Sequence, residues 1–135
     1  MSDQTTKDIL QAYFNAFNAS DYDAMAALLH DDVAHDINQG EREIGLEKFR
    51  WFLGMMAQHY DETISDLVIM VADGGVRAAA EFTISGTYLV TAPGLPAADK
   101  QKYALPVGQF FEVDEGKITR VTTYYNLKDW MAQVS

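Results

Sequence analysis

Cysteine is absent from all 135 residues, which removes disulfides, thiolate metal sites and cysteine nucleophiles at once. Positive charge is scarce: Lys and Arg number 10 against 20 Asp and Glu, for a formal net charge of -10. A phosphate-binding surface needs clustered cations, and the chain has no run of Lys or Arg, so nucleic acid is excluded as a partner. The acidic excess serves solubility instead. No apolar stretch reaches the roughly 18 residues that span a bilayer. The first turns of the chain are charged and amphipathic, not a basic segment leading into an apolar run and a cleavage site. The expectation is a soluble, cytoplasmic protein with no membrane partner.

What is present is an ordinary globular composition. At 48% hydrophobic residues the chain can bury a real core, and its length fits one domain over residues 1–135. Thr5 with Asp8 resembles a capping box, and Ile9, Leu10, Tyr13, Phe14 and Phe17 then recur on one helical face. Ser20 with Asp23 predicts a second, shorter helix, its buried stripe formed by Tyr22, Met25, Leu28 and Leu29. A third helix, from about Gly45 to Tyr60, turns Leu46, Phe49, Leu53, Met56 and Tyr60 inward. It also carries Trp51, Phe52 and Met55, more apolar surface than one core stripe needs.

From Thr63 the periodicity changes to two. Strands are predicted at about 63–72 and 76–90, joined by the hairpin turn Asp73-Gly74-Gly75, and at about 102–113 and 117–125, joined by Asp114-Glu115-Gly116. Thr91–Lys100, with Pro93, Gly94 and Pro96, reads as a surface loop. A short helix at Leu127–Val134 closes the chain. Helices first and a long antiparallel sheet afterwards argue for an α+β fold. A sheet of this length, curved into a cone around three N-terminal helices, would enclose an internal apolar pocket suited to a small molecule.

The most informative segment is His30–Gly40, HDDVAHDINQG. Its second half reads as a strand carrying an imidazole beside a carboxylate, His35 and Asp36. Successive strand side chains point to opposite faces, so only one of the two can enter a given cavity. A second signal is the strand Tyr103–Val113, where Tyr103, Leu105, Val107, Gln109, Phe111 and Val113 share one face. The lone amide of Gln109 in that apolar row must find partners, because an unpaired buried polar group costs about 1–3 kcal/mol. Tyr13 sits among apolar helix neighbours and needs a partner for its hydroxyl. No histidine pair has the i, i+4 spacing of a helical zinc motif, no Gly-rich phosphate loop follows a strand, and no nucleophile elbow is present. Neither a metal nor a cofactor is expected.

Tyr13–Phe17 with Asp21, LLHDDVAHD, Gly45–Phe52, GQFFEVDEGKITRV and TTYYN together resemble the nuclear transport factor 2-like superfamily. Within it, the chain is similar to SnoaL-like polyketide cyclases and ketosteroid isomerase-related proteins, over nearly its whole length. The resemblance implies the cone-shaped roll and a homodimer formed through the open side of the sheet. Ketosteroid isomerases combine an Asp base with an oxyanion hole of Tyr and protonated Asp. With Asp21 as anchor the Tyr falls on Tyr13, the base falls near Asp36, and the protonated Asp falls on Gln109. The stretch from Asp32 to Asp36 is one residue shorter than the family pattern. If the missing residue lies before the strand, Asp36 faces inward; if within it, His35 and Ile37 do. SnoaL-type cyclases carry an Asp after the last aromatic pair, and here that position is Asn126, an amide that cannot abstract a proton. Epoxide hydrolase-like chemistry needs an Asp-Arg-Asp arrangement, for which Arg77 and Glu81 share a face without a second acid.

The expected function is therefore cofactor-independent isomerisation or cyclisation of a small hydrophobic carbonyl compound by proton abstraction alpha to the carbonyl. Asp36, alone or together with His35, is the expected base, while Tyr13 and Gln109 orient the substrate oxygen. Phe17, Trp51, Phe52 and Met55 are the expected helical contacts of the substrate. Phe82, Tyr88, Phe111, Tyr125 and Asn126 are those from the sheet and its end. The alternative is a non-catalytic ligand-binding or dimerisation module on the same fold.

Overall fold

The computed structural model describes residues 2–135. The first helix, α1 (Asp3–Asn18), is capped by Ser2, whose Oγ accepts the Thr5 N–H at 3.0 Å. The capping-box expectation at Thr5 is thus corrected by one turn: Thr5 already lies inside the helix. Leu10, Tyr13 and Phe14 form the buried stripe. Ser20, with φ 55, ends the run, and Asp21 caps α2 (Tyr22–Ala27) by accepting the Ala24 N–H at 3.1 Å. Leu29, expected on the helical stripe, instead opens strand β1 (Leu29–Asp36).

After β1 the chain reverses and adds β2 (Arg42–Ile44) before α3 (Leu46–His59). Strand β3 (Tyr60–Val71) starts on the residue after α3, three residues earlier than the periodicity suggested. Next come β4 (Arg77–Tyr88), β5 (Lys102–Asp114), β6 (Lys117–Tyr125) and α4 (Leu127–Val134). The six strands form one sheet in the order β2-β1-β6-β5-β4-β3. Strand β1 runs parallel to β6, and all other neighbours are antiparallel. This is the expected α+β roll: a curved, unclosed sheet packed around its helices. No helix among the described residues is long and apolar enough to cross a membrane.

The curvature has local causes. On β3 the pairing slips between Ser65 and Val68, with Asp66 held at φ 55. One extra residue there bends the strand, and it reverses which side chains face inward. Tyr60, Glu62 and Ile64 face the concave side before the bulge; Leu67, Ile69 and Val71 pack on the core after it. The amide of Asn18, at the end of α1, clamps this edge: its Nδ2 donates to the Ile64 carbonyl at 2.9 Å and its Oδ1 accepts the Ile64 N–H at 2.8 Å.

Aromatic rings hold the centre. Phe14, only 2% exposed, meets Tyr13, Phe82 and Phe111 edge-on, with centroids 5.5, 5.4 and 5.9 Å apart. At the wide end, Trp130 of α4 packs against Tyr60, Tyr88 and Tyr103. The loop 91–100 is pinned by Tyr88, whose hydroxyl donates to the Pro96 carbonyl and accepts the Ala92 N–H. On the convex side of the sheet Phe110, Tyr124, Val68 and Met70 stay exposed.

Candidate functional site

A cavity of about 230 Å³ lies between the concave face of the sheet, α1, α3 and α4. The sheet register decides which member of the His35–Asp36 pair enters it. His35 pairs with Val121 and Asp36 with Thr122, and Val121 faces the cavity. His35 and Ile37 therefore point inward and Asp36 points out, the second of the two alternatives left open by the shortened segment. The expectation that Asp36 is the base in the pocket is corrected.

The two side chains have opposite environments. His35 is 4% exposed, its ring 4.3 Å from that of Phe49 and 4.6 Å from that of Phe52. Burial among these rings pulls the imidazole pKa from 6.5 down to about 4, although the nearby charge of Asp36 pushes it up. The ring is neutral at pH 7, and its Nδ1 has no hydrogen-bond partner. Asp36 lies on the outer face, where Arg42 grips it with a fork: Nε to Oδ1 at 2.6 Å and Nη2 to Oδ2 at 3.0 Å. Thr122 adds a third donor at 2.6 Å. The Arg42 hydrogen bonds lead in lowering the Asp36 carboxyl to about 2, and Thr122 assists. A carboxylate so satisfied is an anchor for β2 on β1 and β6, not a base.

Three buried side-chain polar atoms among the described residues lack a partner: His35 Nδ1, Asn38 Nδ2 and Gln109 Oε1. All three belong to residues lining this one cavity. Asn38 is fixed in orientation, because its Oδ1 accepts the Tyr125 N–H at 3.1 Å, and its Nδ2 has no partner within hydrogen-bond distance, with the Tyr125 hydroxyl as its neighbour. Gln109 donates from Nε2 to Thr123 Oγ1 at 2.9 Å. Since a hydroxyl can either accept or donate, that amide can turn over and present N–H groups instead of its carbonyl. Tyr13 also lines the cavity, and burial pushes its phenol upward, so it stays a neutral O–H donor.

The apolar wall is only partly the expected one. Phe17, Phe52, Phe82 and Tyr125 line the cavity. Trp51 does not: it points to solvent, 70% exposed. Met55, on the same helix, is half-buried but outside the lining. Tyr88 is committed to the loop, and Phe111, with no exposed surface, is core behind the cavity wall. Asn126 caps α4 by accepting the Asp129 N–H at 3.2 Å. Trp51 and Met55 fail on direction, which periodicity alone does not give on a helix flank. Tyr88 and Phe111 face inward beside Tyr60 and Val121 but are covered by their neighbours, and Asn126 is spent on the helix cap. Arg77 and Glu112 form an ion pair on the outer face of the sheet, so no Asp-Arg-Asp arrangement forms around Arg77.

The model of the SnoaL-like domain matches residues 10–121, which span the cavity-forming elements from α1 to β6. The chain belongs to the SnoaL-like family. Solved structures agree. A candidate polyketide cyclase from Xanthomonas campestris pv. campestris is 51% identical, covering 98% of each chain with a TM-score of 0.96. One from Pseudomonas putida KT2440 is 51% identical over 96% of this chain and 98% of its own, with a TM-score of 0.95. A third, from Silicibacter sp. TM1040, is 50% identical over 100% of this chain and 98% of its own, with a TM-score of 0.96. No curated protein matches the sequence significantly.

Two polar residues of this SnoaL-like site escaped the sequence reading. Asn38 has no apolar row around it to mark it in the sequence. Glu62 also lines the cavity, and Tyr103 donates a hydrogen bond to its Oε2 at 2.6 Å. The signal for Glu62 was available: Tyr60-x-Glu62-x-Ile64 places one acid in an apolar row, as Gln109 is placed in its own. It was hidden because the predicted strand began at Thr63.

Proposed function

We propose that this SnoaL-like protein is a cofactor-independent isomerase or cyclase that removes a proton alpha to a carbonyl of a small hydrophobic compound. The observation that carries the reading is the convergence of three unpartnered polar atoms, from His35, Asn38 and Gln109, in one apolar cavity. Buried polar groups are ordinarily paired, and these three match a ligand that brings a carbonyl oxygen and an acidic C–H. The cyclase description of the half-identical relatives supports the same chemistry.

In this mechanism His35 Nδ1 accepts the proton. A neutral imidazole is the form that can do so, and its low pKa keeps that form dominant at neutral pH. The developing enolate oxygen takes hydrogen bonds from Asn38 Nδ2 and Tyr13, with the turned Gln109 amide as a third donor. These donors are neutral, and each such donor is worth about 10²–10³ in rate. The apolar walls lower the local dielectric, which strengthens those bonds. The imidazolium then returns the proton to a different carbon, completing an isomerisation, or the enolate attacks a second carbonyl within the ligand, closing a ring, and the imidazolium gives its proton to the alkoxide that forms.

The test is deuterium uptake from D2O at the acidic carbons of a panel of cyclic enones, followed by NMR. Uptake above the buffer rate is expected for compounds that fit the cavity. Saturable binding without uptake would favour the alternative of a non-catalytic binding module. The homodimer expected for this fold would cover Phe110, Tyr124, Val68 and Met70, all exposed on the convex face of the single chain. Light scattering should then give twice the mass of one chain; the mass of a single chain would remove the dimer.

A further inference from the structure

Glu62 is the one acidic side chain lining the cavity among the described residues, and no Lys or Arg shares the lining with it. Tyr103 reaches it from two strands away. In the register of the sheet Glu62 on β3 pairs with Gly86 on β4, and Gly86 pairs with Tyr103 on β5. A Cβ at position 86 would fall 2.5 Å from Tyr103 Cζ, inside the ring's contact distance. Glycine in mid-strand weakens a sheet and commonly marks a close approach. Here it lets the phenol lie across the β4 backbone and hydrogen-bond to Glu62. The arrangement is a built one, with Trp130 packed against Tyr103 at 5.9 Å between centroids.

The mechanism leaves this pair unused. His35 lies in the row shared with Val121 and Phe111, whereas Glu62 lies in the row of Gly86 and Tyr103, at the other end of the strands. Between them run rows of apolar side chains, including Phe82, Val107 and Ile84. The cavity thus has a polar group at each end of these rows, with the Tyr125 phenol entering from the row of Val107 and Phe82 between them. Tyr60 and Tyr125 both lie close enough to Glu62 to feel its charge. Burial pushes the Glu62 carboxyl up, while the Tyr103 hydrogen bond pulls it down and the charge of Asp61 adds to the rise. A carboxyl in that setting suits a neutral hydroxyl, which can accept from its acid form and donate to its anion.

We propose that Glu62, held by Tyr103 across Gly86, is a second anchor that binds a hydroxyl at the far end of the ligand. The substrate class is then a flat apolar body with an oxygen at each end, a carbonyl toward His35 and a hydroxyl toward Glu62. The carbonyl end rests on the proposed function; the hydroxyl end does not. The test therefore reads binding and not turnover.

Dissociation constants are measured by fluorescence for 2-methoxynaphthalene, 6-methoxy-2-naphthol and 2-(aminomethyl)-6-methoxynaphthalene, which share an ether oxygen for the donors Asn38 and Tyr13 and differ only at the other end. For the wild type the naphthol should bind about tenfold more tightly than 2-methoxynaphthalene, the gain expected of one buried hydrogen bond. In Glu62→Met, of similar length and volume, the ratio should fall to within about twofold. As a readout independent of that variant's folding, the ¹³C resonance of the Glu62 carboxyl in the wild type should move with the naphthol and not with 2-methoxynaphthalene. A wild-type ratio near one, an unchanged ratio in Glu62→Met, a carboxyl resonance that ignores the naphthol, or tighter binding of the ammonium compound would each overturn the proposal.

Discussion

Replacing His35 with Gln should lower deuterium uptake by about 10²–10⁴-fold, the range that a positioned general base contributes. Gln keeps a polar side chain at the position but has no basic nitrogen at neutral pH. The ring it replaces sits between Phe49 and Phe52, so circular dichroism and a thermal melt must show that the variant is folded. Asp36→Asn is the matched control. It acts on His35 only through its charge, which raises the imidazole pKa, so uptake at pH 7 should stay within about threefold of wild type, as for any charge acting through space on a partner that is already neutral. Its effect belongs to stability, because it breaks the fork from Arg42. The reverse pattern, loss with Asp36→Asn and little change with His35→Gln, would return the base role to the carboxylate.

Phe14→Ala should cost about 3–5 kcal/mol of folding stability, the usual loss when a buried aromatic side chain leaves a cavity. Phe14 joins α1 to the sheet by touching Phe82 on β4 and Phe111 on β5, and it braces Tyr13 beside it. For a domain of this length that loss lowers the melting temperature by on the order of 10 °C or more. Trp51→Ala removes a larger side chain, but one that is 70% exposed, and should change stability by no more than about 0.5 kcal/mol. Calorimetry on the two variants separates them. Similar losses at both positions would mean that Trp51 is covered in solution.

Much of the fold was legible because its long elements repeat one pattern. The amphipathic stripe of α1, the two glycine-containing hairpin turns and the period-two runs of β4 to β6 each carry several independent residues of signal. Short or interrupted elements carry too few. Strand β2 has three residues, and the α3–β3 junction has no linking residue between His59 and Tyr60, so neither boundary shows as a change of composition.

The site was less legible for a related reason. Parity on a strand is set by its register with neighbours, and β1 slips relative to β6 between Leu29 and Ala34. No property of the His35–Asp36 pair itself reveals that slip. The partner that satisfies Asp36 is Arg42 on β2, the strand that went unread. Gln109, by contrast, stood alone in a long regular row, and it does line the cavity. Glu62 obeys the same rule one strand boundary too early.

A neutral, buried imidazole serving as the base is tested most directly by the pH profile of wild-type uptake. The base must be unprotonated, so kcat/KM should rise with pH through about 4, the depressed value of His35, and stay level from there to neutrality. A rise centred near 6.5, the ordinary imidazole value, would contradict the account by placing the base in water. A rate that stays level down to about 2, where Asp36 protonates, would contradict it by placing the base on the outer face.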